Sequence, residues 1–292
     1  MRLHLWLGLL PALAGAADLG GMIDMHVHAA PDVVARSVDG VDAVRLAKAG
    51  GLRAIVLKNH YEPTASWAYF AGKAVPGIEV FGGVALNLSV GGVNPAAVSR
   101  MARLIGGRGR IVWMPTFDAE NQVRYSRESR PSAAVSRDGR LLPEVLEVLD
   151  LIAKHGLVLA TGHSTPAENR LLIREARARG IERIIVTHAM LAPVRMSVEQ
   201  MKEAADLGAF IEFAYNGLIG KNREFTLEQY AAAIRQVGPE RCILVSDLGQ
   251  ADNPLPVDGL RSFLEGMRTH GFSALEIRRM AAGNPALLLG LR

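Results

Sequence analysis

Two histidines stand one residue apart in Asp24-Met25-His26-Val27-His28, directly after the apolar pair Met22-Ile23. Side chains alternate along a strand, so Asp24, His26 and His28 share one face at its end. Two imidazoles so placed can hold one divalent ion. Without an ion they are an ordinary polar pair, and the spacing alone leaves both readings open. Further polar residues close other apolar runs: Lys58-Asn59-His60, Thr161-Gly162-His163, Thr187-His188 and Ser246-Asp247. Histidines packed together repel when protonated and leave ring nitrogens unpaired when neutral. A metal ion removes both problems.

The elements that must position these residues follow one repeated unit of short aliphatic run, polar turn and amphipathic helix. The expected strands are Met22–His28, Ala54–Lys58, Glu79–Leu86, Arg110–Pro115, Leu157–Thr161, Arg183–Thr187, Ala209–Phe213 and Cys242–Asp247. Helices are expected near Asp39–Ala49, Thr64–Val75, Asn94–Ile105, Pro143–Lys154, Pro166–Arg179, Ser197–Leu207, Thr226–Gln236 and Gly259–Thr269, with a helical end from Ser273. Thr165-Pro166-Ala167-Glu168 carries a capping box, and Gly180 can end the helix that follows it. Strands alternating with helices predict a parallel sheet with right-handed crossovers. Eight units suit a closed α/β (β/α)8 TIM barrel of one domain, in which all strand C-termini open at one mouth. No GxGxxG follows the first strand, which argues against a dinucleotide fold. One connection, Phe117 to Leu142, is far longer than the usual ~4–6 residues. It follows the fourth strand and so belongs to the mouth, as a lid or substrate loop or as a solvated insertion.

Composition agrees with a large folded core: 292 residues, 49% of them hydrophobic and 21% charged. The net charge of +4 is mild and the cations are scattered, so nucleic acid is not an expected partner. The single cysteine, Cys242, excludes an intrachain disulfide and a cysteine-based zinc site. Met1-Arg2, the apolar stretch Leu3 to Ala14 and Ala14-Gly15-Ala16-Ala17 have the outline of a secretory signal peptide over residues 1–17. A barrel-closing helix is the alternative. The stretch is short for a membrane span of about 20 residues, so no stable membrane insertion is expected. The barrel proper takes residues 18–292, periplasmic or secreted if the leader is cleaved and cytoplasmic otherwise. A homo-oligomer is compatible with the sequence.

His26, His28, His163, His188 and Asp247, with the closing Gly283-Asn284-Pro285-Ala286, resemble the amidohydrolase superfamily of metal-dependent hydrolases over nearly the whole barrel. The stretches Ile23–His28, Val56–His60 and Ala160–Ser164 are most similar to a bacterial branch of unassigned function. The resemblance implies that His26, His28 and Asp247 bind the more buried ion, with His163 or His188 completing or extending the site. It implies one or two divalent ions, zinc foremost, and a catalytic set of Asp247, His188 and Lys58. Asp247 would double as general base, and Asp24 would fix a histidine tautomer. Related barrels often carry a bridging carboxylated lysine or a glutamate on the fourth strand, but Ile111 to Thr116 offers neither. Lys58 is the nearest substitute, as a bridging carbamate or as a cation facing Asp247 or an anionic substrate. His60, Tyr61, Asn87, Thr116, Tyr215 and Asn216 are candidates to line the pocket, with His60 and Asn216 as substrate contacts. Arg36 is a candidate for a bidentate grip on a substrate carboxylate. The implied activity is hydrolysis of a small-molecule amide, ester or lactone. Decarboxylation, phosphoester hydrolysis and a non-catalytic metal- or solute-binding barrel are the alternatives.

Overall fold

A computed structural model describes residues 18–292. The signal-peptide expectation falls on residues 1–17 and lies outside the described residues. Eight parallel strands form the sheet: β1 (Ile23–His28), β2 (Ala54–Lys58), β3 (Glu79–Ala85), β4 (Gly109–Trp113), β5 (Val158–Ala160), β6 (Ile184–Val186), β7 (Phe210–Ala214) and β8 (Cys242–Val245). Each pairs in parallel with the next in sequence. The ring closes just beyond the strand ends. Val27 bridges Leu248 in parallel, the His28 amide donates to the Leu248 carbonyl at 2.8 Å, and the Asp247 amide donates to the His26 carbonyl at 2.9 Å. All eight strands coincide with the expected runs to within two residues at each end. They are legible because a strand covered on both faces is apolar along its length.

Helices α1 (Gly40–Ala49), α2 (Ala65–Ala74), α3 (Pro95–Ala102), α5 (Pro143–His155), α6 (Pro166–Ala178), α7 (Val198–Asp206), α8 (Leu227–Val237) and α9 (Pro256–Thr269) sheathe the sheet. A short α4 (Glu120–Tyr125) lies inside the long connection, and α10 (Ala274–Arg278) and α11 (Asn284–Leu289) end the chain. In α5 the buried residues are Val145, Val148, Leu149 and Ile152, an i, i+3, i+4, i+7 stripe against the barrel. Each such side chain, fully buried, contributes about 1.5–3 kcal/mol of apolar transfer free energy. The capping box at Thr165/Glu168 is formed, and Gly180 takes a φ of 75° just past that helix. Cys242 is buried in β8 as a free thiol, and burial pushes its pKa up. Among the described residues no helix is long and apolar enough to cross a membrane.

The connection from Phe117 to Leu142 is ordered. It contains α4 and a two-residue hairpin, Ser136–Arg137 with Arg140–Leu141. Arg130 ties it together by pairing with Asp118 and Glu128 and donating to the Phe117 carbonyl at 2.6 Å.

Candidate metal centre

Barrel closure is what brings His26, His28 and Asp247 together. Their donor atoms all lie within 4.8 Å of one another, and all three residues are buried. Asp247 Oδ1 stands 3.0 Å from His26 Nε2 and 3.1 Å from His28 Nε2. His163 and His188 face each other across the next sector, Nε2 to Nε2 at 3.2 Å. The His26 and His188 rings are stacked with centroids 6.3 Å apart. Lys58 reaches in from β2, with Nζ 2.9 Å from His26 Nε2 and 5.4 Å from the Trp113 ring centre. The expected residues therefore meet in two groups around one floor. Above it opens a cavity of about 520 Å³, lined among others by His60, Arg36, Asn216, Arg195 and Lys221.

The backbone is bent to present these ligands. His188 has φ 25° and Asp247 φ 51°, left-handed conformations that cost a non-glycine residue of order 1–3 kcal/mol. Such outliers cluster at functional sites because the surrounding structure holds them. Glycine is required alongside: a Cβ at Gly249, φ 130°, would lie 1.9 Å from the His28 carbonyl oxygen. One at Gly162, φ 62°, would lie 2.3 Å from the Met114 carbonyl oxygen.

Burial dominates the electrostatics. It holds His26, His28, His60 and His163 well below the ordinary imidazole value and lowers His188 as well. Burial thus favours the neutral rings that metal ligation demands. Burial lowers Lys58 to about 8, against the pull of Asp247 and Glu212, and raises Asp24 and Glu212 each to about 7.

The donor set fits a divalent ion. His26 Nδ1 is 3.1 Å from Glu212 Oε1, which also accepts the His188 amide at 3.0 Å. With its proton on Nδ1, His26 turns a bare Nε2 toward Asp247 Oδ1, which is also an acceptor. Two acceptors 3.0 Å apart repel unless a cation bridges them; the Lys58 ammonium, 2.9 Å from Nε2, supplies one such charge and a metal ion would supply another. His28 Nδ1 and His188 Nδ1 are buried without a hydrogen-bond partner among the described residues. Two histidines and a carboxylate within this span match the three protein ligands that catalytic zinc sites use.

Several expectations need correction. Asp24 does not fix a histidine ring. Its carboxylate accepts the His26 amide at 3.3 Å and the Ser246 amide at 3.1 Å, so it clasps the barrel seam. The β1–β2 register shifts between Asp24 and Val27, which breaks simple alternation. Glu212 holds the tautomer instead. Its signal was a lone acid inside Phe210-Ile211-Glu212-Phe213, where every neighbour is apolar. Arg36 lines the cavity, but Asp32 already takes its Nε and Nη2 at 2.8 and 2.6 Å, which occupies the bidentate edge. Asn87 and Thr116 do not line the cavity; they stand behind His60, whose Nδ1 is 2.9 Å from Thr116 Oγ1. Tyr61 and Tyr215 also lie off the cavity wall, Tyr215 because it packs on Phe263 with ring centres 5.6 Å apart. Asn216 is at the wall, and its Nδ2 lies 3.4 Å from Asp247 Oδ2. Gln122, on the insertion, was not anticipated: its Oε1 is 2.7 Å from His163 Nδ1.

Residues 21–212 match a family of unknown function, DUF6282. The chain belongs to this family. The matched span carries His26, His28, Lys58, His163, His188 and Glu212 of this DUF6282 member, and stops before Asp247. No curated protein matches the sequence. Among solved structures, an amidohydrolase from Pseudomonas aeruginosa superposes with a TM-score of 0.66 at 14% identity, covering 92% of this chain and 95% of that one. The phosphotriesterase homology protein from Escherichia coli, with phosphate in its active site, gives 0.63 at 17%, covering 93% and 99%. A putative 2-pyrone-4,6-dicarboxylic acid hydrolase from Pseudomonas putida gives 0.61 at 19%, covering 92% and 97%. The DUF6282 chain thus shares its (β/α)8 barrel fold with these structures, as its sequence led us to expect.

Proposed function

We propose that this protein is a metal-dependent hydrolase acting on a small-molecule amide, ester or lactone at the mouth of its barrel. One observation carries the reading: His26, His28 and Asp247 converge within 4.8 Å beneath an open cavity. His26, His28 and Asp247 would hold the ion, and His163 and His188 would extend the site toward a second. Zinc suits this nitrogen and oxygen donor set. The ion, when bound, lowers the pKa of a water toward neutrality and polarises the substrate oxygen.

The chain's own groups do the rest. Glu212 Oε1 holds His26 in the tautomer that turns Nε2 inward. Asn216 steadies Asp247 through Oδ2, leaving the carboxylate placed to take a proton from water and pass it to the leaving group. His188 completes the polar wall opposite. Lys58 offers an amine beside His26, as a cation facing Asp247 or, after reaction with carbon dioxide, as a bridging carbamate. His60, stacked on Phe117 at 3.8 Å, gives the substrate a flat wall. The structural neighbours, hydrolases among them, support this class of chemistry.

The test is chelated protein reloaded with zinc and offered a panel of esters, lactones, amides and aromatic acids. Turnover should appear only after reloading. Asp247→Asn should lose about 10²–10⁴-fold in kcat, the usual worth of a positioned acid–base group, while metal content is checked alongside. Full activity in that variant would refute Asp247 as the base. A loaded protein inert to the whole panel would favour a metal- or solute-binding barrel.

A further inference from the structure

The insertion from Phe117 to Leu142 left two readings open, lid or solvated loop. Its contacts support a third. Asn121 Nδ2 donates to the His163 carbonyl at 3.0 Å and to the Pro193 carbonyl at 2.9 Å, so α4 is pinned to the loops after β5 and β6. Asp118 accepts the Leu88 amide at 2.8 Å, and the Asp118 carbonyl accepts the Ala133 amide at 2.6 Å. Phe117 stacks on His60. A segment fastened at so many points is a wall, not a hinged cover.

From this wall Gln122 reaches His163. Its Oε1 lies 2.7 Å from Nδ1, while its Nε2 donates to Ser126 Oγ at 2.9 Å. A neutral imidazole carries one proton, on either nitrogen. An acceptor on Nδ1 places that proton there and leaves Nε2 bare. His163 Nε2 faces His188 Nε2 at 3.2 Å, on the cavity floor. We propose that Gln122 is a positioning residue that sets the tautomer and angle of His163, so that Nε2 is offered to a bound ion. Glu212 does the same for His26 from the barrel itself. The two ligand groups therefore draw their orientation from different parts of the chain. This inference rests on the reading of His163 as a metal ligand.

The experiment compares Gln122→Leu, Gln122→Glu and Gln122→Lys with His163→Ala. It reads zinc affinity by competition with a chelator and the visible absorption of the cobalt-loaded protein. His163→Ala defines the affinity that His163 confers. Gln122→Leu should weaken that affinity about 10–100-fold, the usual cost of losing a partner behind a ligand. Gln122→Glu keeps an acceptor and should retain native binding and the native cobalt spectrum. Gln122→Lys presents only donors, favours the wrong tautomer and should bind no better than the leucine variant. A merely structural role would treat Glu and Lys alike. Native affinity in Gln122→Leu, with His163→Ala weakened, would overturn the positioning role and leave the metal reading intact. Native affinity in His163→Ala would take both down.

Discussion

The two halves of the site are built differently. His26, His28 and Asp247 stand on the seam between β1 and β8, where ladder-like amide–carbonyl bonds of 2.8 and 2.9 Å fix their backbones. Glu212, inside β7, orients His26 from the barrel interior. His163 and His188 stand just past the short strands β5 and β6, on loops. His163 is held there by its amide bond to the Pro115 carbonyl at 2.9 Å and by Gln122 and Asn121 of the insertion. Sites on strands are placed more rigidly than sites on loops. On the proposed function, the seam group is expected to be the primary ion site and the loop group the adjustable one.

Removing a ligand from each half gives the sharpest contrast. His26→Ala should abolish tight zinc binding, a loss beyond the ~100-fold that a supporting hydrogen bond costs. His163→Ala should leave the seam site loaded and remove only the binding that the loop group adds. Isothermal titration of zinc into chelated protein checks both. Equal losses in the two variants would erase the distinction.

Next in size is the backbone. Gly249→Ala forces a Cβ to within 1.9 Å of the His28 carbonyl oxygen at the barrel seam. It should destabilise the fold by about 3–5 kcal/mol, in the range reserved for strained or clashing sites. Gly162→Ala meets the Met114 carbonyl oxygen at 2.3 Å, a less severe approach, and at a φ of 62° that an L-residue tolerates better than 130°, so it should cost less. Urea unfolding of the two variants decides; a larger loss at Gly162 would reverse the ranking.

The smallest effect is expected at Glu212, which touches both halves through His26 Nδ1 and the His188 amide. Glu212→Gln keeps the shape and one acceptor. It should weaken zinc by about 10-fold, the low end for such partners. Glu212→Leu should weaken it further, in both halves at once. Titrations showing loss in only one half would detach Glu212 from the other.

Much of this was legible in the sequence, for identifiable reasons. The strands are apolar runs ended by polar residues, and in a parallel barrel those ends share one mouth, so His26, His28, His163, His188 and Asp247 could be grouped without coordinates. Lys58 was legible as the last residue of β2. Partners behind the ligands were not. Glu212 lies 186 residues from His26, and Gln122 lies 41 from His163 in a segment without periodicity. No spacing rule links such pairs. Asp24 misled because a register shift in β1 interrupts the alternation that was used to place it. Arg36 misled because its buried acid, Asp32, sits only four residues away and was not weighed as its partner.

The most direct measurement is an anomalous difference map from a crystal of zinc-loaded protein. A peak is expected about 2.0–2.2 Å from His26 Nε2, His28 Nε2 and an Asp247 carboxylate oxygen. A zinc-loaded crystal with no peak among those three residues, or with its ion elsewhere, would contradict it.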